Sequence, residues 1–216
     1  MNGIPPAYLI IGCGYFGSRA AEKLFQKHPR PKIIVVDKSR RALQKVSRLP
    51  VETAVSNGIT YLGQFSSEGQ KTDYIIPAIP LHLAFEFILS QMKPLGARRV
   101  KIPPLPGLPN PMMGKTGDLY TSHANFLCSE DCPEPARYCT FTKKRRQKPL
   151  YQILKDLEDT FESIVIRSQQ LGPGIGGFRL EALLDLLEDI KRKNSAQSVL
   201  VSTASRCHGV TSALSF

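Results

Sequence analysis

Two groups of residues in this chain have types and spacings that do chemistry. The first is a glycine turn, Gly12-Cys13-Gly14-Tyr15-Phe16-Gly17, entered by the apolar run Tyr8, Leu9, Ile10 and Ile11 and followed by Asp37 at the end of a second apolar run, Ile33 to Val36. The second is a set of thiols. Cys128, Cys132 and Cys139 fall in FLCSEDCPEPARYC, a C-x3-C-x6-C arrangement, and Cys207 follows in Ser205-Arg206-Cys207-His208-Gly209.

The glycine turn has the parts that a dinucleotide needs. Gly12 allows a tight exit from a strand, Gly14 lets backbone approach a pyrophosphate, and Gly17 lets the next helix pack close to that strand. The amino terminus of the helix then offers free N–H groups and a partial positive charge to phosphate. Asp37 lies about 20 residues beyond the last glycine, where a carboxylate accepts hydrogen bonds from the adenosine ribose. Tyr15, Phe16 and Lys38 complete the set expected to face the cofactor. The same glycines would also serve a tight turn in a ligand-free sheet, but the flanking strands and the acid favour an adenine dinucleotide. Asp37 favours the unphosphorylated ribose of NAD. The adjacent Lys38, Arg40 and Arg41 keep NADP open, since an arginine beside the acid accommodates a 2′-phosphate.

Thiolates brought together by turns suit a soft metal. Cys128, Cys132 and Cys139 supply three ligands, and Cys207 is the expected fourth, with His208 as the alternative. Zinc and an iron-sulfur cluster both satisfy the inventory, and the spacing matches neither common zinc pairs nor ferredoxin runs. Free thiols in a small core are the competing reading. Cys13 is expected to pack as a small side chain. No motif assigns a catalytic group; His82, His123, Cys207 and His208 are the candidates for proton donation or an electron path.

The elements that must position these groups follow from periodicity and turn residues. A helix is expected over Ser18–Lys27, then the Ile33–Val36 strand and a helix reaching about Arg48. Short strands are expected at Val51–Ala54 and Ile59–Leu62 around the Asn57-Gly58 turn, then a parallel strand at Thr72–Ala78 and a helix over Leu83–Met92. Residues 94–118 are dense in proline and glycine, which excludes a long helix or a central strand. Val100, Ile102, Leu105 and Leu108 predict that this segment is packed, with Met112 and Met113 filling a gap in preference to lining a pocket. Beyond the cysteines, Leu150–Ser163 has helical spacing, Ile164–Ile166 reads as a strand and Gly172–Gly177 as a second glycine loop. A helix over Leu180–Lys193 and a strand over Ser198–Ala204 complete a second βαβ-like unit. The glycine loop either approaches a ligand or makes a turn.

The expected fold is α/β: a Rossmann-type parallel sheet with helices on both faces, plus a smaller α/β carboxyl-terminal part carrying the cysteine cluster. The expected divisions are a nucleotide-binding domain over 1–95, a crossing segment over 96–118 and the cysteine-containing part over 119–216.

Residues 8 to about 95 resemble the nucleotide-binding Rossmann domain of Trk-type potassium-uptake regulators and of saccharopine-dehydrogenase-like enzymes. Gly12, Gly14, Gly17, Asp37 and the strand Asp73 to Ala78 carry the likeness. The resemblance implies adenine dinucleotide binding and no particular reaction. After Met92 the chain departs from a full dehydrogenase pattern.

The bulk numbers set outer limits. At 216 residues, with 42% hydrophobic and 22% charged residues, the chain buries a real core. Its formal charge of +11 favours anionic partners: nucleotide phosphates, nucleic acid or an acidic membrane face. The densest positive run, Lys143 to Lys148, has no interleaved aromatics, so a solvated loop is preferred over nucleic-acid binding. Ile75–Leu89 is too short and too interrupted to span a bilayer, and the first apolar run lacks a basic leader. A cytoplasmic protein is expected, and the five cysteines lack the pattern of a secreted disulfide scaffold. Two functions fit: an NAD(P)-dependent redox protein with a cysteine-bound centre, or a nucleotide sensor. The resemblance gives the sensor a membrane-transport partner, and a homo-oligomer is open to both.

Overall fold

The computed structural model describes residues 5–157, 161–193 and 198–216. β1 (Ala7–Ile11) sits inside the first sheet because it is apolar on both sides. Leu9 and Ile11 enter one hydrophobic cluster and Tyr8 and Ile10 another, each at most 3% exposed. β2 (Lys32–Asp37) and β4 (Tyr74–Pro77) flank it in parallel, and β3 (Glu52–Val55) lies parallel beyond β2. A strand buried on both faces reads as a continuous apolar run, as β1 and β2 do. α1 (Tyr15–Lys27) and α2 (Arg40–Leu43) cover one face through Ala20, Ala21, Leu24 and Leu43. α3 (Gly58–Ser67) and α4 (Leu83–Met92) cover the other through Leu62, Phe65, Phe85 and Ile88.

The expected strand at Ile59–Leu62 is instead the first half of α3. Asn57 is a helix cap and not a hairpin corner: its side-chain oxygen accepts from the amides of Ile59 at 2.9 Å and Thr60 at 3.3 Å. Gly58 is required there by close approach, since a Cβ would lie 2.3 Å from Cγ2 of Ile11.

The second sheet is built from β6 (Met112–Met113), β7 (Leu119–Ser122), β12 (His208–Ser215), β11 (Val199–Ala204) and β8 (Glu162–Arg167), in that order, while β5 (Arg98–Val100) pairs with the far end of β12. β8 and β11 are parallel and joined through α6 (Leu180–Lys193), the βαβ unit expected from the sequence. α5 is shorter than expected (Leu150–Lys155); residues 158–160 of the expected Leu150–Ser163 helix lie outside the described residues.

Gly172–Gly177 makes a turn, the second of the two expected alternatives, and that turn closes a hairpin. β9 (Gln169–Gly172) turns at Pro173 and Gly174 into β10 (Ile175–Arg179), with Gly174 at φ +73. β10 then pairs antiparallel with β4, matching Phe178 to Ile75, so two late strands complete the first sheet. The sheet therefore crosses the divisions expected at 95 and 118. One apolar cluster also runs between the sheets, from Phe85 and Phe87 of α4 through Leu183 and Leu187 of α6 to Val201 and Leu214. Ile102 and Leu108 pack the proline-rich segment against Leu150, Leu154 and Leu200. Met112 and Met113 fill no gap and stand 64% and 54% exposed. No helix among the described residues is long and apolar enough to cross a membrane.

Candidate functional site

The three glycines of the first turn do different work. Gly12 has φ +103, and a Cβ on it would lie 2.4 Å from the Ala78 carbonyl oxygen. A Cβ on Gly17 would lie 1.8 Å from the Gly12 carbonyl oxygen. Both are demanded by packing within the fold. Nothing lies within 4 Å of a Cβ built on Gly14. That position is open where backbone would meet a diphosphate.

Gly14 is also the residue before α1, and it supplies no side chain to cap the first turn, which carries no acid. The first N–H groups are left for an anion. The Asp37 carboxylate stands beside this turn. Its Oδ2 accepts from the Cys13 amide at 2.7 Å and its Oδ1 from the Ser39 amide at 2.8 Å. A carboxylate has about four acceptor sites, so capacity remains for a sugar hydroxyl. Lys38, Arg40 and Arg41 are exposed around the start of α2. A cavity of about 490 Å³ continues from Gly14 and Phe16 along Pro77 and Ala78 to Gly174 and Gly176. An open backbone position, uncapped N–H groups and a carboxylate together fit an adenine dinucleotide.

The cysteines share a second, larger cavity of about 930 Å³, lined by Cys128, Cys132, Cys139 and Cys207 with His123 and His208. Cys13 is apart, buried in the glycine turn against one face of the first sheet, with its pKa raised by burial and by the nearby Asp37 charge. Burial pushes the Cys207 thiol up to about 11, against the pull of Arg146, whose Nη1 donates to its sulfur. Cys128 is also raised, by burial and then by its neighbours Cys132 and Cys139. Cys139 is lowered, chiefly by a hydrogen bond from the Thr142 backbone. Glu134 accepts from Ser205 Oγ at 2.5 Å and from the Cys207 amide at 3.0 Å. The donor types suit a soft metal, but the arrangement does not form a coordination shell: no three His, Cys, Asp or Glu side chains among the described residues are placed to hold a metal ion.

The histidines separate. His123 Nε2 bonds the Lys148 carbonyl oxygen at 3.0 Å and His208 Nδ1 bonds Ser122 Oγ at 3.0 Å, both beside the cysteine cavity. His82 precedes α4 but is 2% exposed, with Nδ1 2.8 Å from Ser212 Oγ and Nε2 2.9 Å from Thr203 Oγ1. Ser212 in turn donates to Asp118, which Arg99 holds at 2.7 Å. Burial lowers the His82 pKa to about 3. It ties α4 to the second sheet and does not face the glycine cleft.

The contacts that join the two cavities were not foreseen. Tyr15, Arg19, Lys23 and Lys27 recur every fourth residue on α1 and form one stripe. Tyr15 Oη donates to Glu130 Oε2 at 2.7 Å, Arg19 pairs with Glu130 at 3.1 Å and Asp131 at 2.6 Å, and Lys23 pairs with Asp131. Lys27 Nζ donates to the Leu171 carbonyl oxygen at 2.5 Å. The Cys132 carbonyl oxygen accepts from the Gly174 amide at 3.1 Å and from Gln170 Nε2 at 2.8 Å. The segment between Cys128 and Cys132 is thus clamped across the helix that follows the glycine turn. An i, i+4 stripe on a helix, with an acidic pair elsewhere between two cysteines, was the available signal.

Fold and turn together define a Rossmann-type NAD(P)-binding domain, and residues 8–63 match the model of the TrkA-N domain, the nucleotide-binding domain of Trk-type regulators. Residues 82–216 match a family model described as "Uncharacterized protein, C-terminal domain", and the chain belongs to that family. A protein of Archaeoglobus fulgidus, described as "Uncharacterized protein", is 27% identical over 220 residues, covering 95% of this chain and 98% of its own. The family match begins at His82, in keeping with the bonds from His82 to β11 and β12.

Proposed function

We propose that this protein is a dinucleotide sensor: NAD, in preference to NADP, binds at Gly12, Gly14, Tyr15, Phe16, Gly17, Asp37 and Lys38, and its occupancy is passed to the cysteine-bearing segment. The stripe of Tyr15, Arg19 and Lys23 on Glu130 and Asp131 carries this reading, because α1 both starts at the phosphate site and grips that segment. The charge of +11 suits a partner with an acidic face, and the TrkA-N match supports a membrane transporter as that partner, reached from the cytoplasm. The test is stoichiometric NADH uptake, without oxidation by an artificial electron acceptor, together with altered hydrogen exchange over residues 128–139. Sustained NADH oxidation, or exchange unchanged by bound nucleotide, would count against it.

A second reading is an oxidoreductase whose thiols, Cys128, Cys132, Cys139 and Cys207, hold zinc or an iron-sulfur cluster. Its support is that all four line a cavity sharing Phe16, Gly174 and Gly176 with the nucleotide cleft. Metal analysis and an absorption spectrum of protein purified without air test it. A brown, iron-rich sample favours electron transfer, zinc a structural clasp, and a metal-free sample removes the reading.

A further inference from the structure

The charges around the larger cavity do not cancel. Its acids are Glu130, Asp131 and Glu134, and each is engaged: the first two on Tyr15, Arg19 and Lys23, the third on Ser205 and the Cys207 amide. Arg146 is spent on Cys207 and the Pro135 carbonyl oxygen. Lys144, Arg145 and Arg206 also line the cavity, and among the described residues none of their side chains has an acid partner. What remains uncompensated is positive.

Part of the apolar wall is aromatic. Phe126 and Phe141 stack with ring centroids 4.3 Å apart and planes 17° from parallel, yet Phe141 is 64% exposed. A stacked ring left facing solvent at a cavity edge presents a flat face for a further ring. At about 930 Å³ the space is of the size that holds a small organic molecule and far exceeds a bare ion.

We propose that this cavity binds a small aromatic or conjugated carboxylate, its flat body on Phe141 and its carboxylate on Lys144, Arg145 or Arg206. The site needs neither a metal nor a bound nucleotide. It rests on the dinucleotide reading in one respect: the two ligands are neighbours, because Phe16, Gly174 and Gly176 wall both cavities.

The test uses naphthoate and its uncharged analogue naphthamide as probes, followed by ligand-observed NMR on the full chain. Naphthoate is expected to bind about tenfold more tightly than naphthamide, the factor that one charge-assisted contact of about 1.4 kcal/mol supplies. The triple substitution Lys144→Ala/Arg145→Ala/Arg206→Ala should erase that preference while leaving naphthamide bound, and Phe141→Ala should weaken both. With NAD added, naphthoate should stay bound and show magnetisation transfer to nicotinamide protons. Equal affinity for the two probes, or indifference to both sets of substitutions, overturns the proposal, as does displacement of naphthoate by NAD. Absence of NAD binding with naphthoate binding intact would overturn the dinucleotide reading, but not the anion site.

Discussion

The Asp37 carboxylate accepts a hydrogen bond from the Cys13 backbone amide at 2.7 Å, so the acid that ends β2 also fixes the turn that leaves β1. One side chain thereby ties the end of β2 to the glycine turn. Replacing Asp37 with Ala should cost about 1.5–3 kcal/mol of stability, the worth of hydrogen bonds to a charged group. It should also weaken NAD by more than about tenfold, since a lost charge-assisted contact exceeds 1.4 kcal/mol. Urea titration and calorimetry measure the two separately, and Asp37→Asn, which keeps one acceptor, should fall between.

The glycines should divide by phenotype. Gly17→Ala forces a Cβ to within 1.8 Å of backbone and should destabilise by at least about 1–3 kcal/mol, the cost of overpacking. Gly12→Ala adds a left-handed φ to a 2.4 Å clash and should do the same. Gly14→Val meets open space at an extended backbone and should melt near the parent temperature. Thermal unfolding of the three variants checks the order.

Acid should weaken the protein over two pH ranges. His82 is held neutral, its pKa lowered from 6.5 to about 3 by burial and by Arg99. Between those values the unfolded chain binds the extra proton, so stability rises with pH and is lost as pH falls below about 6.5. The slope approaches about 1.4 kcal/mol per pH unit for one proton. Asp118 is also lowered: burial opposes its ionisation, but hydrogen bonds from Ser212, Thr116 and Arg99 prevail. Its contribution is present above its unfolded pKa of 3.8 and disappears as pH falls further. Melting temperatures from pH 7 to 4 should drop steadily in the parent. In His82→Gln they should start lower and change less.

The clamp on α1 should matter more to local order than to global stability. Its ion pairs are exposed, and such pairs contribute little. Glu130→Gln with Asp131→Asn should leave the melting temperature nearly unchanged, yet speed hydrogen exchange over residues 128–139.

Where local chemistry decided the structure, the sequence was legible. β1, β2, α4 and α6 lie where periodicity puts them, and Gly12 and Gly17 sit at the close backbone approaches that their spacing implies, whereas the bond from the Cys13 amide to Asp37 is a contact that spacing does not announce. Asn57-Gly58 misled because the pair serves equally as a hairpin corner and as a cap with the first helical residue. Capping won because Gly58 must pass against Ile11. The hairpin at Gly172–Gly177 was unreadable for another reason. Its place beside β4 depends on a pairing between residues about a hundred positions apart, which no local pattern encodes. The same holds for Glu130 and Asp131, which look like solvated acids until α1 is laid beside them. The four cysteines line one cavity but form no coordination shell among the described residues, because spacing along the chain does not fix where the sulfurs point.

Calorimetric titration of NAD, NADP and ATP into the parent protein and into folded Gly14→Val tests the central claim most directly. The parent should take up one equivalent of NAD with saturation and prefer it to NADP, and the variant, equally folded, should take up none. Absence of saturable uptake by the parent, or undiminished uptake by the variant, would contradict a dinucleotide at the glycine turn.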